Sequence, residues 1–145
     1  MGLDGGDHAD FTPADAMTLQ AWVKIDTHRI GKIVYKNHTV DPYFSYQMWI
    51  TDSGHAGSFR PYFQWRSSAN QLRESKLSTG SLSTGTWYHL AGVRNGSDLK
   101  LYIDGSNADV SNATDLSGTL YDSNGDFAVG YDHANADPID GIIDE

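Results

Sequence analysis

The chain has 145 residues, a formal charge of −9 from 19 acidic against 10 basic side chains, and no cysteine. Its length supports one domain, residues 1–145, with a real core, and the missing cysteine excludes disulfides, thiolate metal sites and a cysteine nucleophile. The acidic balance argues against nucleic acid or an anionic membrane as partner, because phosphate binding needs a basic footprint, and no apolar run approaches the ~18 residues of a membrane span.

In chain order, MTLQAWVKI (17–25) alternates cleanly, with Met17, Leu19, Ala21, Val23 and Ile25 on one face, which is the period of a strand. IGKIVYK (30–36) is a second candidate. In FSYQMWIT (44–51), Phe44, Tyr46, Met48 and Ile50 oppose Ser45, Gln47, Trp49 and Thr51. In FRPYFQWR (59–66), Phe59, Phe63 and Trp65 oppose Arg60, Tyr62, Gln64 and Arg66, and Pro61 implies an edge strand or an irregular start. Residues 71–75 form a weak strand and 87–94 a strong one, joined by Asn95-Gly96 to a strand over 99–104. Asp104-Gly105 turns the chain again, since both dipeptides tolerate the positive φ of tight hairpins. Residues 127–131 and 139–144 are the last two strands. Many short strands with turn residues between them predict an all-β, antiparallel two-sheet sandwich or jelly roll. There is no internal repeat, linker or second domain, and no basic segment followed by an apolar stretch reads as a signal peptide.

Three motifs in order carry a family resemblance: MTLQAWVKI, GTWYHLAGVRNGSDLKLYIDG (85–105) and FAVGYDHANADPIDGIIDE (127–145), with LDGGDHADF (3–11) as the opening loop. The chain resembles the laminin-G-like, concanavalin-A-like jelly-roll family over nearly its whole length. The resemblance implies that the Trp-x-His hairpin is scaffold, with Trp87, His89 and Tyr102 in a packed, hydrogen-bonded core and no catalytic role for His89. It also implies a final strand running past Glu145, so that the last strand reads as truncated. The first and last strands would be neighbours, leaving a sheet edge open to self-association.

The resemblance further implies one structural calcium where the opening loop meets the closing segment, with Asp4 or Asp7, the carbonyl of Gly141 and Asp144 as ligands. Calcium takes six to eight oxygens, and Asp10, Asp132, Asn135, Asp137 and Asp140 stand in the same two clusters. Short Asp side chains in turns also serve local backbone bonds, which is the plainer reading. The six histidines are scattered without zinc-ligand spacing.

The fold hosts glycoside hydrolases and polysaccharide lyases as well as binders, so the site has to decide. A glycosidase needs two facing carboxyl groups. The polar faces of 44–51 and 59–66 carry none, and Glu74 has no evident partner. A lyase working with Tyr, His and Arg is the weaker enzymatic alternative. Gln47, Trp49, Tyr62, Gln64 and Arg66 instead offer rings to stack on sugars and donors for hydroxyl or carboxyl groups. If the two strands pair, these side chains share one face; the competing reading is a loop over Trp49 and an otherwise solvated face. The expected function is a non-catalytic recognition or adhesion module, extracellular or surface-associated, that binds carbohydrate with a structural calcium ion. The alternative is a protein-interaction or assembly module of a larger surface protein.

Overall fold

The computed structural model describes residues 3–4, 16–37, 44–51, 58–77, 80–96, 98–107, 109–111, 118–121, 125–131 and 137–144. The described residues form strands β1 (Leu3–Asp4), β2 (Ala16–Ile25), β3 (Gly31–Asn37), β4 (Phe44–Thr51), β5 (Arg60–Arg66), β6 (Leu72–Leu77), β7 (Trp87–Asn95), β8 (Asp98–Ile103), β9 (Ser106–Asn107), β10 (Asp109–Ser111), β11 (Phe127–Val129) and β12 (Gly141–Asp144). They make two antiparallel sheets, one ordered β1-β11-β3-β4-β5-β6-β10 and the other β12-β2-β7-β8-β9. This is the all-β sandwich that the alternation predicted. No helix among the described residues is long and apolar enough to cross a membrane.

The core lies between the sheets and follows from period-two patterning. From the five-stranded sheet come Ala21, Val23 and Ile25 of β2, Leu90 of β7, and Leu99 and Leu101 of β8; Tyr46, Met48, Ile50, Phe63 and Trp65 answer from β4 and β5. In β3 the pairing with β4 shifts register between Lys32 and Val34. That bulge lets Ile33 and Val34, consecutive residues, both join the core. Burial alone pushes the Tyr46 phenol far above its ordinary range, so it stays neutral in the core.

Gly92 marks a close approach of the two layers. A Cβ at this position would lie 2.4 Å from the Phe63 ring. Gly92→Ala is therefore expected to force Phe63 from its rotamer and cost about 1–3 kcal/mol, read as a lower urea midpoint with an unchanged slope. The turn after β8 is set by Asp104 (φ 51°) and Gly105 (φ 75°), the paired positive values of a type I′ hairpin. The Asp104 carboxylate accepts the His89 backbone N–H at 2.8 Å, tying the turn to β7.

The structure corrects two expectations of placement. β5 is not an edge strand, because it pairs with both β4 and β6. Pro61 is tolerated at its irregular start, where it faces Ile50 of β4 and the register with β6 begins only at Tyr62. β1 and β12 are not neighbours: β1 pairs with β11, whereas β12 pairs with β2 in the other sheet.

Candidate functional site

On the face of the seven-stranded sheet turned away from the core, four adjacent strands line up polar and aromatic side chains. The β4–β5 register sets Gln47 opposite Gln64 and Trp49 opposite Tyr62. β3 adds Lys32 opposite Trp49 and Tyr35 opposite Gln47, and β6 adds Glu74 opposite Gln64 and Lys76 opposite Tyr62. These side chains hydrogen-bond in a row across the strands. Lys32 Nζ donates to Gln47 Oε1 at 2.9 Å, Gln47 Nε2 to Gln64 Oε1 at 2.6 Å, and Gln64 Nε2 to Glu74 Oε2 at 2.8 Å. Lys76 Nζ closes the row on Glu74 Oε1 at 3.0 Å.

The direction of this chain is dictated by its ends. An ammonium can only donate and a carboxylate can only accept, so each glutamine amide must turn its oxygen toward Lys32 and its nitrogen toward Glu74. A fixed polarity of this kind orders both amides before any ligand arrives. Among the described residues each amide uses one N–H and one lone pair in the row, which leaves one of each to serve a hydroxyl group.

Aromatic rings flank the row. Lys32 Nζ sits 3.8 Å over the Trp49 ring, and Trp49 meets Tyr62 at 5.9 Å between centroids with a 59° tilt. Lys76 Nζ is 5.3 Å from the Tyr62 ring centre. Further along, the Arg66 guanidinium lies 5.0 Å over Phe44, which in turn contacts Tyr35 at 6.3 Å. The Trp49 indole N–H is buried and has no acceptor among the described residues. An aromatic shelf beside oriented amides is the chemistry that stacks on a pyranose or furanose face and reads its hydroxyls.

All five residues expected from the sequence to bind ligand, Gln47, Trp49, Tyr62, Gln64 and Arg66, stand on this one face. It is not an openly solvated face, since Gln47 is 3% and Gln64 5% exposed. Lys32, Tyr35, Phe44, Glu74 and Lys76 were not anticipated as members. The β3 bulge conceals the parity of Lys32. Glu74 and Lys76 were legible in principle, being two apart on one strand, and Glu74 has partners after all in Gln64 and Lys76.

The hairpin expectation is corrected. Trp87 and His89 lie on the outer face of the five-stranded sheet, since the intervening Tyr88 packs against the core and Leu90 is buried in it. Trp87 is 41% exposed, with Lys24 Nζ 5.7 Å from its ring. His89 and Tyr102 are half-buried, and His89 packs on the exposed Trp22 at 5.2 Å.

Of the residues expected to hold calcium, Asp7 lies outside the described residues. Asp4 pairs its backbone with Ala128 in the seven-stranded sheet, while Gly141 and Asp144 pair with Ile25 and Trp22 in the other. Among the described residues no group of three acidic or histidine side chains could hold a metal. The Asp140 carboxylate accepts the Thr27 hydroxyl and its carbonyl accepts the Asp26 N–H, as a turn residue does.

The model of the concanavalin A-like lectin/glucanases superfamily matches residues 4–145. Among solved structures, domains LG4-5 of the mouse laminin alpha1 chain align at TM-score 0.69 and 11% identity, covering 99% of this chain and 36% of that one. Domain 4 of AbnA, a GH43 extracellular arabinanase from Geobacillus stearothermophilus, determined in complex with arabinotriose, aligns at TM-score 0.62 and 23% identity, covering 99% and 63%. An alginate lyase from Alteromonas sp. 272 aligns at TM-score 0.52 and 13% identity, covering 94% and 57%. This chain thus spans less than two thirds of each of these structures. At such identities they share the fold. The search of curated protein sequences finds no match.

Proposed function

Because the chain belongs to the concanavalin A-like lectin/glucanases superfamily, we propose that it is a non-catalytic carbohydrate-binding module whose ligand lies on the β3–β6 face. The observation that carries this reading is the four-strand row Lys32–Gln47–Gln64–Glu74–Lys76 beside Trp49 and Tyr62. It supplies oriented hydroxyl-recognising groups together with rings to stack against. Support against glycosidase chemistry comes from the carboxylates. Glu74 is the sole acid of this face among the described residues, and it is held between Gln64 and Lys76. General acid catalysis with a second carboxylate partner has no counterpart there. The similarity to a domain whose structure was determined in complex with arabinotriose supports a sugar ligand. An extracellular or surface location accompanies this proposal.

A structural calcium remains part of the proposal only at the chain ends. Among the described residues no three acidic or histidine side chains gather as a metal site, and the ligand contacts proposed here are side chains of the β3–β6 face alone. The test is affinity electrophoresis of the chain in gels containing different polysaccharides, each run with calcium and with chelator. Retardation by at least one polysaccharide without release of reducing ends or unsaturated products is expected. Turnover of the retarding polymer would replace this reading with the enzymatic one.

A second reading, a protein-interaction module, is favoured by one observation. Trp22, Trp87 and Ile142 are each more than 40% exposed on the outer face of the five-stranded sheet. It becomes the better account if no polysaccharide retards the chain.

A further inference from the structure

Charge on this protein is segregated, and the segregation indicates which class of glycan fits. The whole chain carries 19 acidic and 10 basic side chains. The candidate face reverses that balance: Lys32, Arg60, Arg66 and Lys76 stand on it, while Glu74 is its one carboxylate among the described residues. Arg60, Tyr62, Gln64 and Arg66 alternate with the core residues Phe63 and Trp65, so the whole polar edge of β5 contributes to this face. Basic groups gathered on one partly desolvated sheet face concentrate a positive potential that an otherwise acidic chain does not offer elsewhere.

The face also contains a worked example of the group it accepts. The Glu74 carboxylate takes one N–H from the Gln64 amide at 2.8 Å and one from the Lys76 ammonium at 3.0 Å. An amide and an ammonium converging on two oxygens form a carboxylate seat. Lys76 and Tyr62 form the adjacent edge, where a ligand would meet the ammonium next to a ring. We infer that the ligand is an acidic polysaccharide bearing carboxylates, a polyuronate, with a sugar ring against Trp49, which Tyr62 (3% exposed) backs from beneath, and its carboxylates toward Lys76 and Arg66. This inference rests on the glycan reading above and deepens it.

The test uses the full chain with polygalacturonate, and with arabinan, dextran sulfate and polyphosphate as comparators, by titration calorimetry at low and high salt. Glu74→Gln keeps the shape of the row but removes the one negative charge, whereas Lys76→Gln removes a positive one. A carboxylate ligand requires opposite responses: Glu74→Gln tightens polygalacturonate binding on the order of threefold, and Lys76→Gln and Arg66→Gln each weaken it about tenfold. Affinity for polygalacturonate also falls as salt rises, because the added ions screen the attraction. Thermal denaturation of each variant verifies that it is folded. Arabinan bound as tightly as polygalacturonate, with no salt dependence and with Glu74→Gln weakening it, overturns the acidic ligand and leaves the glycan reading standing. Equal binding of dextran sulfate or polyphosphate overturns the preference for carboxylate. Silence toward every polymer at both salt levels overturns this inference and the glycan reading together.

Discussion

Trp65→Ala is expected to be the most destabilising single truncation in the core, at about 3–5 kcal/mol. Trp65 is fully buried near the C-terminal end of β5. The Arg94 guanidinium stacks on it at 4.0 Å while donating from Nη2 to the Gly118 carbonyl at 2.7 Å. The truncation removes a large apolar surface and takes the ring from beneath a buried cation, so it combines a cavity with a weakened cation–π contact. For a chain of this size the melting temperature should fall by about 10 °C or more. Trp65→Phe separates the two contributions. It keeps a ring under Arg94, and the indole N–H it removes is buried with no acceptor among the described residues, so no hydrogen bond is lost. Its cost should be about 1–2 kcal/mol, within the range of ordinary core substitutions. Equal losses for the two variants, measured by urea denaturation, would show that Arg94 draws nothing from the ring.

Trp49→Ala should do the reverse, weakening glycan binding strongly while lowering stability only modestly. Trp49 is half-buried on the polar face and contributes nothing to the core cluster. Its ring lies under Lys32 Nζ and against Tyr62, so removing it deletes the stacking shelf and loosens the first donor of the hydrogen-bonded row. Base-like aromatic stacking losses of ~1–3 kcal/mol are a reasonable scale for a ring that carries a planar ligand, which corresponds to roughly ten- to a hundredfold in affinity. Titration calorimetry alongside thermal denaturation checks both halves of the expectation. A large loss of stability with unchanged affinity would assign Trp49 to the scaffold.

The sheets were legible in the sequence wherever one face is apolar and the other polar. β2 alternates throughout and β4 from Tyr46 onward, and their limits differ from expectation by one residue at most; the register shift between Lys36 and Asn37 sets Phe44 on the polar face and not with Tyr46, Met48 and Ile50. Register was not legible. Nothing in FSYQMWIT or FRPYFQWR says that Gln47 meets Gln64, yet that pairing creates the row. The bulge in β3 hid Lys32, because an inserted residue shifts every later side chain to the other face. β6 was readable only as a weak strand, so Glu74 looked isolated when its partners were in fact one strand away. The Trp-Tyr-His hairpin misled for another reason. Of Trp87, Tyr88, His89 and Leu90, only Tyr88 and Leu90 meet the core, so a motif rich in bulky residues places Trp87 in solvent. Within a strand bulk does not decide which side is inward; parity does.

The central claim, that ligand lies on the β3–β6 face, is tested most directly by titrating the retarding glycan against Trp49→Ala and Trp22→Ala side by side. Both changes remove one tryptophan from a sheet face, but Trp22 stands on the outer face of the opposite sheet, 43% exposed. Affinity should fall at least tenfold in Trp49→Ala and stay at the parent value in Trp22→Ala, with both variants folded. Affinity lost in Trp22→Ala and kept in Trp49→Ala would contradict that claim and move the site to the outer face of the five-stranded sheet.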